Sequence, residues 1–294
     1  MKLDLQNKKV LSWLILIALS LTWGSSYILI KRGLVAFEPL QVTGVRLLVS
    51  AMAFVPLLLI LKRKITWKNW KLYFLVGLTG NAIPALMFAI AQTQLSSALT
   101  GVLNSVTPLA TFVIGFLLFK LPFKSHKLLG VVVGLAGAFL LIWFGKESGA
   151  ASNPFYAGFV LIAAICYAIS SNTVATNLKG FGSIEISGAS FVMISPLAIG
   201  IFIYSGVWET ATTHPEGWAS FGYISLLALA GTVMASILFY KLVHLTGAVF
   251  SSFVSYLMPV VATTWGILDG EPVTLFSLSG MVLILLGVYV ARKD

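Results

Sequence analysis

One arginine stands inside an otherwise uncharged apolar run, Arg46 in PLQVTGVRLLVSAMAFVPLLLI. An ionisable side chain inside a bilayer is costly, so it marks a site unless it escapes to the surface. Arg46 lies about seven residues, or roughly 10 Å at 1.5 Å per residue, into its segment. It is either a planar fork for a substrate carboxylate or a structural arginine that snorkels outward and bonds loop carbonyls. Neutral polar groups form a second set. Asn104 precedes Pro108, and Ser255 and Tyr256 precede Pro259. A proline inside a helix frees the carbonyl four residues back, here those of Asn104 and Ser255, and a freed carbonyl within a membrane must find a partner or line a cavity. Asn104 and Ser255 are therefore expected to face a central cavity with Tyr256 beside them. Alternatively these side chains only tie helices together, at about 0.6 kcal/mol each. Trp23 and Tyr167, near the middles of their segments, are candidate aromatic walls. Tyr27 and Asn81 complete the candidate substrate-binding set.

The chemistry that is missing narrows the classes. No Asp or Glu falls in the middle of an apolar segment, and the only candidates for a titrating group are His244 and Glu185, both near segment ends. Facilitated transport or exchange is favoured over proton coupling, which needs a buried titrating group. A membrane-embedded enzyme needs clustered acids, histidines or a nucleophile with its base. The three histidines are scattered, and the metal-protease, nucleophile-elbow and P-loop signatures are absent. An enzyme is not expected, nor is a catalytic residue, a metal or a cofactor. A receptor or scaffold is disfavoured because no sizeable loop is available for a partner.

These residues must be held by membrane helices. The 294 residues are 59% hydrophobic and 10% charged, with a mean hydropathy of +0.98. A soluble domain carries about 25% charged residues. Ten continuous apolar segments follow, approximately at 10–31, 39–61, 70–92, 97–119, 127–145, 154–176, 184–205, 218–241, 247–268 and 275–291. Continuous runs imply helices rather than a barrel, whose strands alternate. The first run follows Lys2, Lys8 and Lys9, and its length reads as a first membrane helix rather than a cleaved leader. With the N-terminus in the cytoplasm, 15 of the 19 basic residues fall on the cytoplasmic side. Both termini are then cytoplasmic, and the net charge of +10 is a topology signal rather than a nucleic-acid surface. The single cysteine, Cys166, reads as a small apolar core residue.

The chain also repeats. A shift of 151 residues superimposes Gly80 on Gly231, Phe88 on Phe239, Pro108 on Pro259 and Gly115 on Gly266. A shift of 150 superimposes Gly130 on Gly280 and Gly137 on Gly287. Five helices per half force the halves into opposite orientations, the architecture of many alternating-access transporters. The expected fold is all-α and integral to the membrane, with ten transmembrane helices as two inverted five-helix repeats, 1–146 and 150–294. The ridge Gly130, Gly134 and Gly137 is expected to pack within this fold rather than to form a dimer. The protein is expected to be a monomer or weak homodimer.

The ordered motifs resemble a known family. LTWGSSY and then Lys31, Pro39 followed by Arg46, SALTGVLNSVTPLATFVIG, GAVFSSFVSYLMPVVATTWGILDGEPV and the glycine-spaced ends of both halves are similar to EamA-type members of the drug/metabolite transporter superfamily. The resemblance covers nearly the whole chain. The family commonly carries Gly-Glu after the proline-containing helix of each half. Gly270-Glu271 fits, but the first half has Phe119-Lys120. The resemblance implies an inner-membrane permease or exporter of amino acids or similar small metabolites, with a central cavity between the halves. Exporters of amphipathic drugs or amines remain an alternative.

Overall fold

The computed structural model describes residues 2–60, 65–95, 97–143, 154–268 and 275–291. Helices α1 (Lys2–Gly33), α2 (Pro39–Ile60) and α3 (Trp67–Ala91) open the chain. Helix α4 comprises Ser97–Leu103 and Thr107–Leu117, joined by the 3₁₀ turn Asn104–Val106. Then come α5 (Ser125–Trp143), α6 (Ala157–Asn177), α7 (Ser183–Tyr204) and α8 (Gly217–Thr246). Helix α9 is broken at Phe253 into Ala248–Ser252 and Val254–Leu268, and α10 is Leu275–Ala291. A short helix, Val207–Thr213, lies between α7 and α8. No strand occurs among the described residues.

Six of these helices, α1, α2, α3, α6, α7 and α8, are long and apolar enough to cross a membrane. A crossing needs about 20 residues. Their outer faces are apolar: Leu59 is 73% exposed and Ile203 72%. Apolar surface on this scale suits lipid, not water. Trp67, Trp70, Trp208 and Trp218 are exposed near helix ends, where amphipathic rings meet headgroups. Helix α1 begins earlier than the apolar pattern does, so Lys8 and Lys9 sit on its early turns rather than in a loop.

Local sequence explains the boundaries. Pro39 opens α2, where its missing N–H is no loss. The Gln41 side chain accepts a hydrogen bond from the Glu38 N–H at 2.9 Å and donates to the Ser205 carbonyl at 2.8 Å. Gly247 ends α8 with φ +85°, a conformation open to glycine and strained for other residues. The two prolines behave differently from simple kinks. Pro108 starts the second part of α4, and the freed Asn104 carbonyl accepts the Thr107 N–H in the 3₁₀ turn. The Ser255 carbonyl accepts the Ser105 hydroxyl at 3.3 Å, from the other half of the chain.

Helices α3 and α8 each widen into a π-helical segment, Leu78–Ala82 and Leu227–Met234. Such segments hold an extra residue per turn and collect at functional sites. They bracket Gly80 and Gly231, which are 151 positions apart.

Contacts between the halves are reciprocal. Gly44 of α2 abuts Phe202 of α7, while Gly188 of α7 abuts Leu58 of α2. Each residue lies 144 positions from its counterpart. Gly80 meets Ser170, and Gly231 meets Ser26. Phe88 stacks on Tyr167, and Phe239 packs on Trp23. Gly137 meets Gly280, and Gly287 meets Gly130. The ridge on α5 thus packs on α10, within the fold as expected. The spacing grows from 144 to 151 after α7, where the seven-residue helix Val207–Thr213 is inserted.

Candidate functional site

A cavity of about 80 Å³ lies between the halves, walled by α1, α2, α3, α4, α6, α8 and α9. Seven of the eight candidate residues line it: Trp23, Tyr27, Arg46, Asn81, Asn104, Tyr167 and Ser255.

Arg46 reaches inward, not outward. Its Nε donates to the Thr232 hydroxyl at 2.8 Å, on the π segment of α8, and its guanidinium lies beside Tyr167 and Tyr27. No Asp or Glu among the described residues lines the cavity with it. The cation therefore faces a chamber to which no described residue contributes a carboxylate. Thr232 also donates to the Leu227 carbonyl at 3.3 Å, a bond across the wide turn.

The aromatic walls are fixed. The Trp23 indole N–H donates to the Gly231 carbonyl at 2.8 Å, and its ring packs on Phe239 at 5.3 Å. Phe88 lies between Tyr27 and Tyr167, with both ring centroids 6.0 Å away. Asn104 joins these walls to the polar floor. Its Nδ2 donates to the Tyr27 hydroxyl at 3.3 Å and its Oδ1 accepts the Thr107 hydroxyl at 2.8 Å. Asn104→Ala removes these bonds, and a third from Nδ2 to the Met258 sulfur at 3.8 Å, from a residue only 4% exposed. We expect it to cut transport severalfold at unchanged folded yield, read as uptake per milligram of purified protein in liposomes. Wild-type uptake would relegate Asn104 to helix packing.

At the cavity wall, Asn81 and Ser170 both lie within hydrogen-bonding reach of the Tyr240 hydroxyl. Asn81 is 7% exposed and Ser170 2%. Buried polar groups are normally paired, and Tyr240 is the partner at hand for both.

Tyr256 does not belong to this set. It is fully buried away from the cavity, donates to the Val131 carbonyl of α5 at 2.7 Å, and lies against Gly134. One residue advances a helix by about 100°, so Tyr256 points to the α5 side while Ser255 faces the chamber. Thr232, Ser170 and Phe88 were missed. The signal for two of them was present: Thr232 is the repeat mate of Asn81, and Phe88 that of Phe239. The proton candidates stand elsewhere. Glu185 accepts the Thr66 N–H and the Tyr73 hydroxyl, each at 3.1 Å, and neither it nor His244 lines the cavity. Gly270-Glu271 lies outside the described residues.

Comparison with known proteins gives this chamber a context. The EamA-like transporter family model matches residues 10–143 and again 154–292. A protein of Escherichia coli (strain K12), named as the uncharacterized inner membrane transporter YedA, is 30% identical over 94% of this chain and 87% of its own length. The S-adenosylmethionine/S-adenosylhomocysteine transporter of Chlamydia trachomatis serovar L2 is 27% identical over 89% of this chain and 84% of its own. A solved crystal structure aligns with a TM-score of 0.66 at 18% identity, covering 95% of this chain and 96% of that one, which speaks to the fold. With the family model met twice along one chain of apolar helices, the protein belongs to the EamA-like transporter family and is a membrane transporter.

Proposed function

We propose that this protein is an inner-membrane secondary transporter of small metabolites that carry a carboxylate, amino acids or related compounds, working by alternating access around the central cavity. The single observation that carries the substrate class is Arg46, held in the cavity by Thr232 with no carboxylate among the described residues lining the chamber beside it. A planar guanidinium matches a carboxylate with two parallel hydrogen bonds. The aromatic walls accept an apolar or aromatic side chain, and the Asn81, Ser170 and Tyr240 cluster offers polar groups beside them.

Ten crossings, arranged as inverted repeats over 1–146 and 150–294 with both termini cytoplasmic, are part of this proposal. The reciprocal contacts support it. When residue i meets j, and the mate of j meets the mate of i, two halves are related by a twofold axis. Such halves supply two conformations of one scaffold, open to opposite sides. A monomer suffices, because the glycine ridge of α5 is occupied by α10. Exporters of amines are the competing class, and the lone guanidinium repels a cation at this site.

The test is counterflow of a labelled amino-acid panel in liposomes, with and without a pH gradient. S-adenosylmethionine belongs on the panel, since the Chlamydia trachomatis relative is named for it. Saturable uptake of a carboxylate-bearing member, unchanged by the gradient, is the expected result. Uptake of amines alone would overturn the substrate class, and a response to the gradient would return a titrating group such as Glu185 or His244 to the mechanism.

A further inference from the structure

A second cavity, of about 270 Å³, opens where α4, α6 and α9 converge. These same three helices wall the central chamber. Lys124, Lys127 and Lys179 line it over a floor that includes Phe112 and Ala175, and no Asp or Glu among the described residues lines it. A run of polar groups leads from the central chamber toward the second cavity. The Thr107 hydroxyl donates to Asn104 Oδ1 at 2.8 Å, the Thr111 hydroxyl donates to the Thr107 carbonyl at 2.8 Å, and Asn172 Nδ2 donates to the Thr111 carbonyl at 2.9 Å. Asn104 faces the central chamber, while Asn172 stands one turn before Ala175 of the second cavity's lining. Asn172 is fully buried, and its Oδ1 has no partner. Polar side chains are costly inside a membrane unless they face one another or a water-filled route.

We propose that this basic cavity is the cytoplasmic vestibule for anionic solutes, and that the Asn104–Thr107–Thr111–Asn172 track is the route from it to the central chamber. Asn172 is the gate. In this conformation it ties α6 to α4 and closes the track. When the helices part, its amide becomes available to the passing solute or to water. The lysines concentrate anions at the mouth by their summed field, and Arg46 receives the carboxylate at the far end. The proposal rests on the substrate class and orientation given above, and its test needs no substrate.

Ala175→Cys is placed in a Cys166→Ala background and labelled by two thiol reagents, an anionic sulfonatoethyl methanethiosulfonate and a cationic trimethylammonioethyl one. Rates are normalised to a free thiol in solution. The anionic reagent is expected to gain roughly tenfold over the cationic one, only from the cytoplasmic face. The gain should fall to near unity when Lys124, Lys127 and Lys179 are all changed to glutamine. Leu121→Cys serves as a second position should Ala175→Cys fold poorly. Equal normalised rates, or labelling only from the outer face, would overturn the vestibule. So would a thiol that neither reagent reaches until detergent denatures the protein, since the cavity would then be filled by lipid headgroups. Failure of amino-acid counterflow with charge-selective labelling intact would instead overturn only the substrate proposed for the central site.

Discussion

Gly137→Leu is expected to abolish recovery of folded protein, whereas Gly200→Leu leaves the yield close to wild type. A Cβ at Gly137 would sit 2.7 Å from both the Gly280 carbonyl oxygen and the Ile284 nitrogen. Both are backbone atoms, so no rotamer change relieves the clash, and α5 and α10 must move apart. Overpacking a core costs about 1–3 kcal/mol when side chains can adjust, and here they cannot. Gly287→Leu should match it, because a Cβ there would meet Gly134 N at 2.5 Å and Gly130 O at 2.7 Å. Gly200 lies inside α7 with nothing within 4 Å of its added Cβ, so its substitution meets only lipid. Size-exclusion profiles of the three variants in detergent decide the matter. A monodisperse Gly137→Leu peak at normal yield would show that the close approach of these helices is dispensable.

Arg46→Gln is expected to keep the fold and lose transport of carboxylate-bearing solutes. Thr232 retains its bond to the Leu227 carbonyl when the guanidinium goes, so no new orphan hydroxyl is created. A hydrogen bond to a charged group contributes about 1.5–3 kcal/mol, a loss of roughly ten- to a hundredfold in apparent affinity. Arg46→Lys should recover part of this, since it keeps the charge but not the fork. Concentration dependence of counterflow, with yield and thermal stability measured alongside, separates binding from folding. Wild-type affinity in Arg46→Gln would leave the arginine a structural role only.

Much of this was legible in the sequence, for physical reasons that also set the limits. Helices announce themselves where lipid is the solvent, because a crossing must be predominantly apolar over about 20 residues. That same uniformity hides the inward face. Ser170 looks no different from the serines that only bond their own helix, and nothing in the residue types distinguishes the two cases. Arg46 stood out because a charge is rare there. Glycine and proline kept register across the halves because they fix backbone geometry, and they led to Gly80 and Gly231. They did not disclose the π segments, since an extra residue in a turn is held by contacts from other helices. Tyr256 was placed wrongly because its neighbour Ser255 was placed rightly, and adjacent residues on a helix face different ways. Lys124, Lys127 and Lys179 read as topology signals, and only the folded chain gathers them around one cavity.

Among the described residues, the chamber holds a guanidinium and no carboxylate. On the proposed mechanism no protein group titrates or crosses in company with the solute, so the charge moved per cycle is the solute's own. An inside-negative membrane potential of 100 mV is worth about 2.3 kcal/mol for one elementary charge, which would bias a monoanion outward by roughly fiftyfold and a zwitterion not at all. For the first kind of cargo the resting cell itself would make this carrier an exporter. For the second, direction would follow the concentration gradient alone, a difference that efflux under a potassium-valinomycin clamp would expose.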